Sequence, residues 1–364
     1  MWVALCAAAL WFALLGYRDL VDPDEGRYAE IPREMVASGD WVTPRLNGYK
    51  YFEKPPLQYW ATASSFALFG PSNASARLPL ALIGFAGALW VWFVGGRLFG
   101  EPAGFYAFLI LISTLFYAGL GHLLSLDLMV SVFLFGGAGA LLLAQTRRGE
   151  PRAVRNWMLV GWLALALATL TKGLIGVVLP AGAVLFYSLW QRDWALWKHL
   201  HLGKGLSLFL LVTAPWFLLV SLRNPEFPEF FFIHEHFSRY ATTLHRRDEP
   251  WWFFLPWLLL GVLPWVSVFL RALASPGFTW WSARPAGFDA ARFLWVFAAF
   301  VLLFFSLGGS KLPPYILPLL PPLAVLAGRH AAAGGTLRGA VWASLLLGAL
   351  LCLAGWQIPL AQRD

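Results

Sequence analysis

The chain has 364 residues, of which 59% are hydrophobic and 13% are charged, and its mean hydropathy is +0.64. Soluble domains carry about 25% charged residues, so this composition excludes a water-soluble globular protein and predicts a membrane protein. The net charge of +8 comes from basic residues spread through short loops, which excludes a basic stripe that DNA or RNA would follow.

Apolar runs recur along the whole chain, and we predict an all-α, multi-span protein with about 11 membrane spans, forming one domain over residues 1–364. The first run has no basic leader and no convincing cleavage site, and we interpret it as a retained anchor. Cys6 and Cys352 both lie in apolar runs, which excludes a disulfide framework and a thiolate zinc site. The predicted spans lie near 2–17, 78–96, 103–120, 128–144, 157–171, 173–190, 206–222, 251–270, 293–308, 313–328 and 340–358.

Basic residues in the short loops predict the orientation of these spans. If the N-terminus is cytoplasmic, one set of short loops is rich in Arg and poor in acids, as the positive-inside rule requires. The other side carries a similar number of basic residues and differs mainly in its acids. Two long loops, 18–77 and 223–250, then face the outside. The loops assigned to the cytoplasm lie near 97–102, 145–156, 191–205, 271–292 and 328–339.

The first outer loop is the densest block of charge in the chain. It contains DPDEGRYAEIPREMVASGDWVTPRLNGYKYFEKPP from Asp22 onward, and its amphipathic first half predicts two short helices separated by Pro32. The run 57–69 is too short to span the bilayer and is predicted to lie in the interface. The second outer loop mixes aromatic and basic residues, which predicts an amphipathic helix on the membrane surface.

Ionisable residues at membrane depth are costly and often functional. Asp127 lies in HLLSLDLMV, Lys172 lies in LTKGLIG, and Lys311 and Tyr315 lie in GGSKLPPYILP. With the spans given above, all four lie at outer ends of spans, beside the two long loops. We therefore predict one polar site at the outer membrane face.

Each of these residues also has a simpler interpretation. Asp24 would cap a helix, the two lysines would extend to the membrane interface, and Glu53 would pair with a neighbouring lysine. His234 and His236 are separated by one residue, whereas a helical zinc protease needs histidines four positions apart with a glutamate between them. This spacing disfavours a protease and leaves open a metal site that uses one of the histidines.

The first outer loop, together with LLSLDLMV, TLTKGLIG, FFIHEHFSRY and GGSKLPPYILPLLPP, resembles bacterial lipid A aminoarabinose transferases. These are C-type membrane glycosyltransferases, alongside protein O-mannosyltransferases and oligosaccharyltransferases. The resemblance covers essentially the whole chain and implies their fold. It also implies transfer of 4-amino-4-deoxy-L-arabinose from undecaprenyl phosphate to lipid A, at the periplasmic face of the bacterial inner membrane. Relatives usually continue into further spans and a soluble outer domain, which a chain ending at Asp364 is expected to lack.

The resemblance further implies a role for individual residues. Asp24 matches the essential carboxylate of the first outer loop, and Asp127 matches a second acidic residue of the cavity. Glu53 and His234 match a pair that holds a structural metal ion, expected to be zinc. The residues matching those that hold the carrier phosphate are Lys54, Arg239 and Tyr315, and the other matched cavity residues are Tyr51, Lys172 and Glu25.

Other functions fit parts of the sequence. A related C-type transferase would move another sugar or use a protein or glycan acceptor. A transporter or flippase would line its path with Asp127 and Lys172, but it would show similar halves and broken helices at the midplane, and the charges here gather at one face. A purely structural membrane protein would leave these charges unexplained.

Overall fold

The computed structural model describes residues 2–238, 249–273 and 287–357, and these are mostly helical, as predicted. Within these ranges a short antiparallel hairpin, β1 (Arg45–Leu46) and β2 (Tyr49–Lys50), is the only sheet. The helices are α1 (Trp2–Phe12), α2 (Asp24–Ser38), α3 (Leu57–Phe69), α4 (Asn73–Phe99), α5 (Glu101–Ser113), α6 (Leu115–Leu120), α7 (Leu126–Gln145), α8 (Pro151–Lys172), α9 (Ile175–Gln191), α10 (Ala195–Lys198), α11 (Leu202–Arg223), a π-helical segment (Glu229–Ser238), α12 (Phe254–Gly261), α13 (Val266–Leu273), α14 (Ala290–Leu307), a 3₁₀ segment (Pro313–Leu319), α15 (Leu320–Ala332) and α16 (Arg338–Gln357).

In the part of the chain that the structure describes, five helices are long and apolar enough to cross a membrane, or six if the bent pair α12–α13 forms one span. Several other predicted spans coincide with shorter apolar helices, namely α1, α5, α9 and α16. Two predicted spans are interrupted: one breaks at Thr114, and α12 and α13 meet at 115°. Pro264 lies in that second break, where it provides no N–H to continue a helix. The multi-span prediction is confirmed, with several spans shorter or more broken than the apolar runs suggested.

Small residues let the central helices approach closely. α7 packs along α8, and α5 packs against both α4 and α15. A Cβ at Gly104 of α5 would lie 2.2 Å from the carbonyl oxygen of Trp92 in α4, and a Cβ at Gly328 of α15 would lie 2.3 Å from that of Ala103. Close backbone contact of this kind is how membrane helices associate without a hydrophobic driving force. The close packing of these helices therefore holds their ends in fixed positions.

The first outer loop forms one helix where two were predicted. α2 continues through Pro32 without a break. Ile31 and Met35, on either side of the proline, are buried in one cluster with Tyr59 and Ala63 of α3. This packing stabilises the turns of α2 before and after Pro32, so tertiary contacts outweigh the tendency of proline to end a helix.

Aromatic packing joins the second outer loop to the first. The helix predicted in this loop is present as the π-helical segment. Phe227 and Phe231 are fully buried, and the ring of Phe227 lies 5.3 Å from that of Phe52 in the first loop. Trp216 of α11 packs in the same cluster and donates to the carbonyl of Val42 at 3.0 Å. The two loops therefore form one body above the helices.

Several elements end together at one end of the bundle. α7 begins at this end of the bundle with Leu126. α8 runs back antiparallel to α7 and ends at the same end with Lys172. The 3₁₀ segment begins there at Pro313 and packs against α7 and α14. The α7–α8 connection lies at the opposite end, because these two helices run antiparallel and side by side. The end reached by Lys172, called here the outer end, contains the candidate site.

Candidate active site

A cavity opens at the outer end of the bundle. It encloses about 940 Å³, part of it open to solvent. Its wall combines the start of α2, the residues before and at the start of α7, the end of α8 and the start of the 3₁₀ segment. Seven of the ten residues that the sequence assigned to the site line it: Asp24, Glu25, Glu53, Lys54, Asp127, Lys172 and Tyr315.

Asp127 and Lys172 form an ion pair between α7 and α8. Their side chains are only 16% and 14% exposed. The Lys172 ammonium also lies 4.5 Å from the centre of the Tyr315 ring, which is a cation–π contact. Tyr315 in turn packs on Phe305, with ring centroids 5.3 Å apart. Lys172 is therefore held at the cavity by two partners and does not extend freely to the membrane interface.

Asp24 occupies the first helical position of α2, and Pro23 precedes it as the cap. Its side chain is 66% exposed and pairs with Arg27 one turn later. Arg27 also donates to the Tyr51 hydroxyl at 3.3 Å. Burial raises the pKa of Tyr51, and the nearby Glu53 carboxylate raises it further. Tyr51 thus stays protonated at neutral pH, and it supports Arg27 from behind the cavity wall.

Glu25 differs from its neighbour Asp24 because its carboxylate is buried and held by protein donors. Arg77 donates to it at 2.9 and 3.0 Å, the backbone N–H of Leu124 donates at 2.7 Å, and Arg18 pairs with it as well. Burial alone would raise the pKa of Glu25, but these hydrogen bonds lower it to about 2. The predicted cavity residue therefore lines the wall, with its carboxylate committed to the protein.

Lys54 links the two outer loops. Its ammonium donates to the carbonyl of Glu53 at 2.8 Å and to the carboxylate of Glu235 at 3.2 Å. The Glu235 side chain lies in the π-helical segment and is 4% exposed. The expected pairing of a lysine with the Glu53 carboxylate is thus replaced by a pairing with Glu235, which the sequence did not single out.

The two residues predicted to hold a metal ion do not form a complete site in this structure. The His234 side chain is 51% exposed, and its Nδ1 lies 4.0 Å from Glu235. Its ring stacks on Phe230, with centroids 5.3 Å apart. Among the described residues, no three His, Cys, Asp or Glu side chains come together to hold a metal ion. A structural zinc ion takes four ligands, and the described residues alone do not supply four.

Two further residues that the sequence singled out are not among the described residues of the cavity wall. Arg239 falls outside the described residues. Lys311 is 7% exposed and donates to the carbonyl of Glu249 at 2.8 Å. It does not line the cavity, so it supports the adjoining chain instead.

Sequence reasoning missed several residues of the site. Arg27 was detectable, because residues three apart on a helix share a face and Asp24 was already a candidate. Tyr28 and Ser125 also line the cavity, and each lies next to or near a predicted residue. Arg77 had no such signal, since its partner Glu25 lies 52 residues away.

An apolar helical bundle with a charged cavity at one end defines a multi-pass membrane protein whose polar site lies next to lipid. Residues 1–231 match the family of dolichyl-phosphate-mannose-protein mannosyltransferases. The chain belongs to this family.

Bacterial transferases are among its relatives. The chain is 37% identical over 322 residues to the undecaprenyl phosphate-alpha-4-amino-4-deoxy-L-arabinose arabinosyl transferase 2 of Pseudomonas fluorescens (strain Pf0-1), which covers 88% of this chain and 57% of the relative. It is 39% identical over 344 residues to the corresponding transferase 1 of Sodalis glossinidius, which covers 90% and 58%. The chain therefore spans a little over half the length of these relatives.

Solved structures share the fold. The crystal structure of ArnT from Cupriavidus metallidurans bound to undecaprenyl phosphate matches with a TM-score of 0.87 and 41% identity, over 97% of this chain and 63% of that one. The archaeal oligosaccharyltransferase AglB from Archaeoglobus fulgidus, in complex with an inhibitory peptide and a dolichol-phosphate, matches with a TM-score of 0.57 and 13% identity, over 95% and 54%. This second match concerns the fold alone. The predicted C-type membrane glycosyltransferase fold is confirmed.

Proposed function

We propose that this protein is a glycosyltransferase that moves 4-amino-4-deoxy-L-arabinose from undecaprenyl phosphate to lipid A. The names of its relatives and the undecaprenyl phosphate bound to ArnT support the donor and the sugar. In this chain, the proposal depends on one observation: Asp24, Lys54, Asp127, Lys172 and Tyr315 surround a single cavity at the end of an apolar bundle. A lipid-linked sugar phosphate needs cations for its phosphate and an apolar surface for its tail.

The chemistry explains the choice of residue types. Transfer breaks the bond between the sugar carbon and the carrier phosphate oxygen, and it forms a bond from that carbon to an acceptor phosphate oxygen. The departing polyprenyl phosphate keeps the electron pair and gains negative charge. Lys54 and Tyr315, together with the predicted Arg239, would stabilise that charge, because preorganised donors are most effective where water is scarce. The planar guanidinium of arginine suits this role, since it can bond two phosphate oxygens at once.

Asp24 would act on the acceptor side of the reaction. A lipid A phosphate is already ionised at neutral pH, so the attack requires no strong base. Asp24 would therefore orient the acceptor or bind the ammonium group of the aminosugar. Its exposure at the cavity, 66% of the side chain, leaves it accessible for either role.

We propose that the cavity faces the periplasm and that the protein lies in the bacterial inner membrane. The α7–α8 connection, at the opposite end from the cavity, contains Arg147 and Arg148. Such basic loops favour the cytoplasmic side. The donor, the acceptor and the surrounding membrane lipids would meet the protein at the outer face.

Two substitutions in the first outer loop test this function. The purified protein is reconstituted with the undecaprenyl-phosphate-linked aminosugar and lipid A, and the product is followed by mass spectrometry. We expect the wild type to add the mass of one aminopentose to lipid A. Asp24→Asn and Lys54→Ala should lower the rate at least about 100-fold, because each removes a charge that the cavity provides.

Lys50→Ala is the matched control for Lys54→Ala. Lys50 belongs to the same loop but pairs with Glu226 on the surface at 2.6 Å, so its variant should transfer at nearly the wild-type rate. Full activity of Asp24→Asn or Lys54→Ala would contradict the assigned site. Unchanged lipid A with the wild-type protein would contradict the function, and a different mass gain would identify another sugar.

The zinc ion at Glu53 and His234 stays a prediction. If it is present, the purified protein should contain about one zinc per chain, and His234→Ala should lose it. Elemental analysis of both proteins decides this without an activity measurement. Equal zinc contents in the two proteins would contradict a site at His234.

A further inference from the structure

Five hydrogen bonds converge on the Glu25 carboxylate. Oε1 accepts from Arg77 Nε at 2.9 Å and from the Leu124 N–H at 2.7 Å. Oε2 accepts from Arg77 Nη2 at 3.0 Å, from the Val21 N–H at 2.9 Å and from Arg18. A carboxylate has about four lone-pair positions, so protein donors occupy all of them. No acceptor position is left for a substrate hydroxyl or ammonium group.

The two arginines connect this carboxylate to three parts of the chain. Arg77 of α4 is 1% exposed, and it also donates to the carbonyls of Leu15, Arg18 and Asp19 at 3.0, 2.8 and 2.9 Å. Arg18 donates to the carbonyl of His122 at 2.8 Å. The carboxylate therefore ties the residues after α1, the start of α4 and the residues before α7 to the first turn of α2.

Both acidic residues of the cavity are adjacent to this junction. Asp24 directly precedes Glu25 on α2. Asp127 follows Leu124 by three residues, in the first turn of α7. A carboxylate that only balanced the charge of Arg77 would not need the Leu124 N–H, yet Glu25 accepts from it at 2.7 Å. One carboxylate thus fixes the chain on both sides of the cavity.

We propose that Glu25 is a positioning residue that sets the placement of Asp24 relative to Asp127 and does not itself contact the sugar or the acceptor. This inference rests on the proposed transferase function. It reassigns Glu25 from a residue that faces the substrate to one that acts through its two acidic neighbours.

Glu25→Gln tests the role through the separation of kcat from KM. The amide keeps the size of the side chain, but it can no longer accept all five hydrogen bonds. We expect kcat to fall about 100-fold, the effect of misplacing reacting groups by about 1 Å. The KM for the lipid-linked donor should stay within about threefold, because the carrier phosphate is held by other residues.

Glu30→Gln is the matched control. Glu30 lies on the same helix and pairs with Arg33 at 2.7 Å, and that arginine is largely exposed. This variant also removes an ion pair from α2, and it should keep the wild-type kcat. A similar loss of kcat in both variants would mean that any weakening of α2 suffices, and it would overturn the proposal.

A double variant, Arg18→Gln with Glu25→Gln, separates positioning from stability. It removes one cation and one anion, so it leaves one arginine without a carboxylate where the single variant leaves two, and it should fold at least as well as the single variant. Positioning predicts that kcat stays low in the double variant. Recovery of kcat, or a rise in KM with kcat unchanged, would overturn it. An inactive wild type in the same assay would instead contradict the transferase function.

Discussion

Charged side chains form networks at both ends of the helical bundle. At the outer end they surround the cavity, whereas at the inner end they join helix ends directly. Arg148 donates to Asp193 at 2.5 Å and to Gln145 at 2.7 Å, and Arg292 donates to Gln191 at 2.9 Å. These five residues are called the inner-end network below. They connect the ends of α7 and α9 to the start of α14.

The two networks differ in what their charges face. A pocket among α7, α8, α9 and α14 is lined by apolar and small residues such as Met158, Trp197 and Phe297, and its lining contains no charged side chain. The outer cavity is lined by Asp24, Lys172 and several other charged residues. A count of charges therefore does not locate the site. What locates it is open space bounded by charges of both signs, because paired charges without such space only join helices.

Lys172→Met should cause the largest loss of transfer rate. A normal rate would contradict the distinction drawn between the outer cavity and the inner-end network. The substitution removes a cation from the cavity and leaves Asp127 without its partner. We expect the transfer rate to fall about 10²–10³-fold, as when a preorganised electrostatic contact is lost. Initial rates in the reconstituted assay measure this.

Lys311→Met is the control for that substitution. Lys311 lies at the same end and is also buried, but it does not line the cavity. Its variant should lose stability and keep the transfer rate of the folded protein. Equal losses of rate in the two lysine variants would mean that contact with the cavity is not what matters at this end.

The fold class was predictable because apolar composition reports burial in lipid directly. Helix breaks were not, since they depend on packing. The proline at position 32 stays inside a helix that packs on α3, whereas Pro264 lies in the sharp bend between α12 and α13. Both residues are prolines in apolar or amphipathic runs, and the sequence gives no means to tell them apart.

The site was predictable where helix ends alone determine it. Asp127 lies at the start of one predicted span and Lys172 at the end of the next. Because consecutive spans run antiparallel, the span assignment already placed both residues at the same side of the membrane. Glu235 was not predictable, because its contact with Lys54 depends on how the second outer loop folds onto the first. Resemblance predicted Glu25 as a cavity residue, but it did not predict that protein donors from distant parts of the chain already occupy its oxygens.

Acid should destabilise the outer end through Glu25. Its pKa of about 2 in the folded protein lies below the ordinary value of 4.5, so the stabilisation is complete above pH 4.5 and is lost as the pH falls toward 2. The pKa shift of Glu25 corresponds to a contribution on the order of 3 kcal/mol to the free energy of unfolding. Thermal unfolding in detergent between pH 7 and pH 3 measures the loss, and Glu25→Gln should show a smaller pH dependence. An identical pH dependence in both proteins would contradict this assignment.

Asp193→Asn tests the inner-end network, where we expect a loss of stability without a loss of catalysis. The Asp193 side chain is 8% exposed, and its removal leaves the charge of Arg148 without a counter-ion. We expect a loss of about 2 kcal/mol in the free energy of unfolding, as for other hydrogen-bonded charges. The transfer rate per folded molecule should match the wild type. A rate loss like that of Lys172→Met would show that the inner end also takes part in the reaction.

The smallest effect is expected at the exposed pair of Arg223 and Asp40, which joins α11 to the first outer loop. The atoms are 3.5 Å apart, and the arginine side chain is 57% exposed. Exposed pairs contribute at most about 1 kcal/mol, and salt screens them. Arg223→Met should therefore shift the unfolding transition slightly at low salt and not at all at high salt. A large, salt-independent loss would mean that this surface contact holds the loop over the cavity, and the outer end would then depend on its rim as well as on the charges inside.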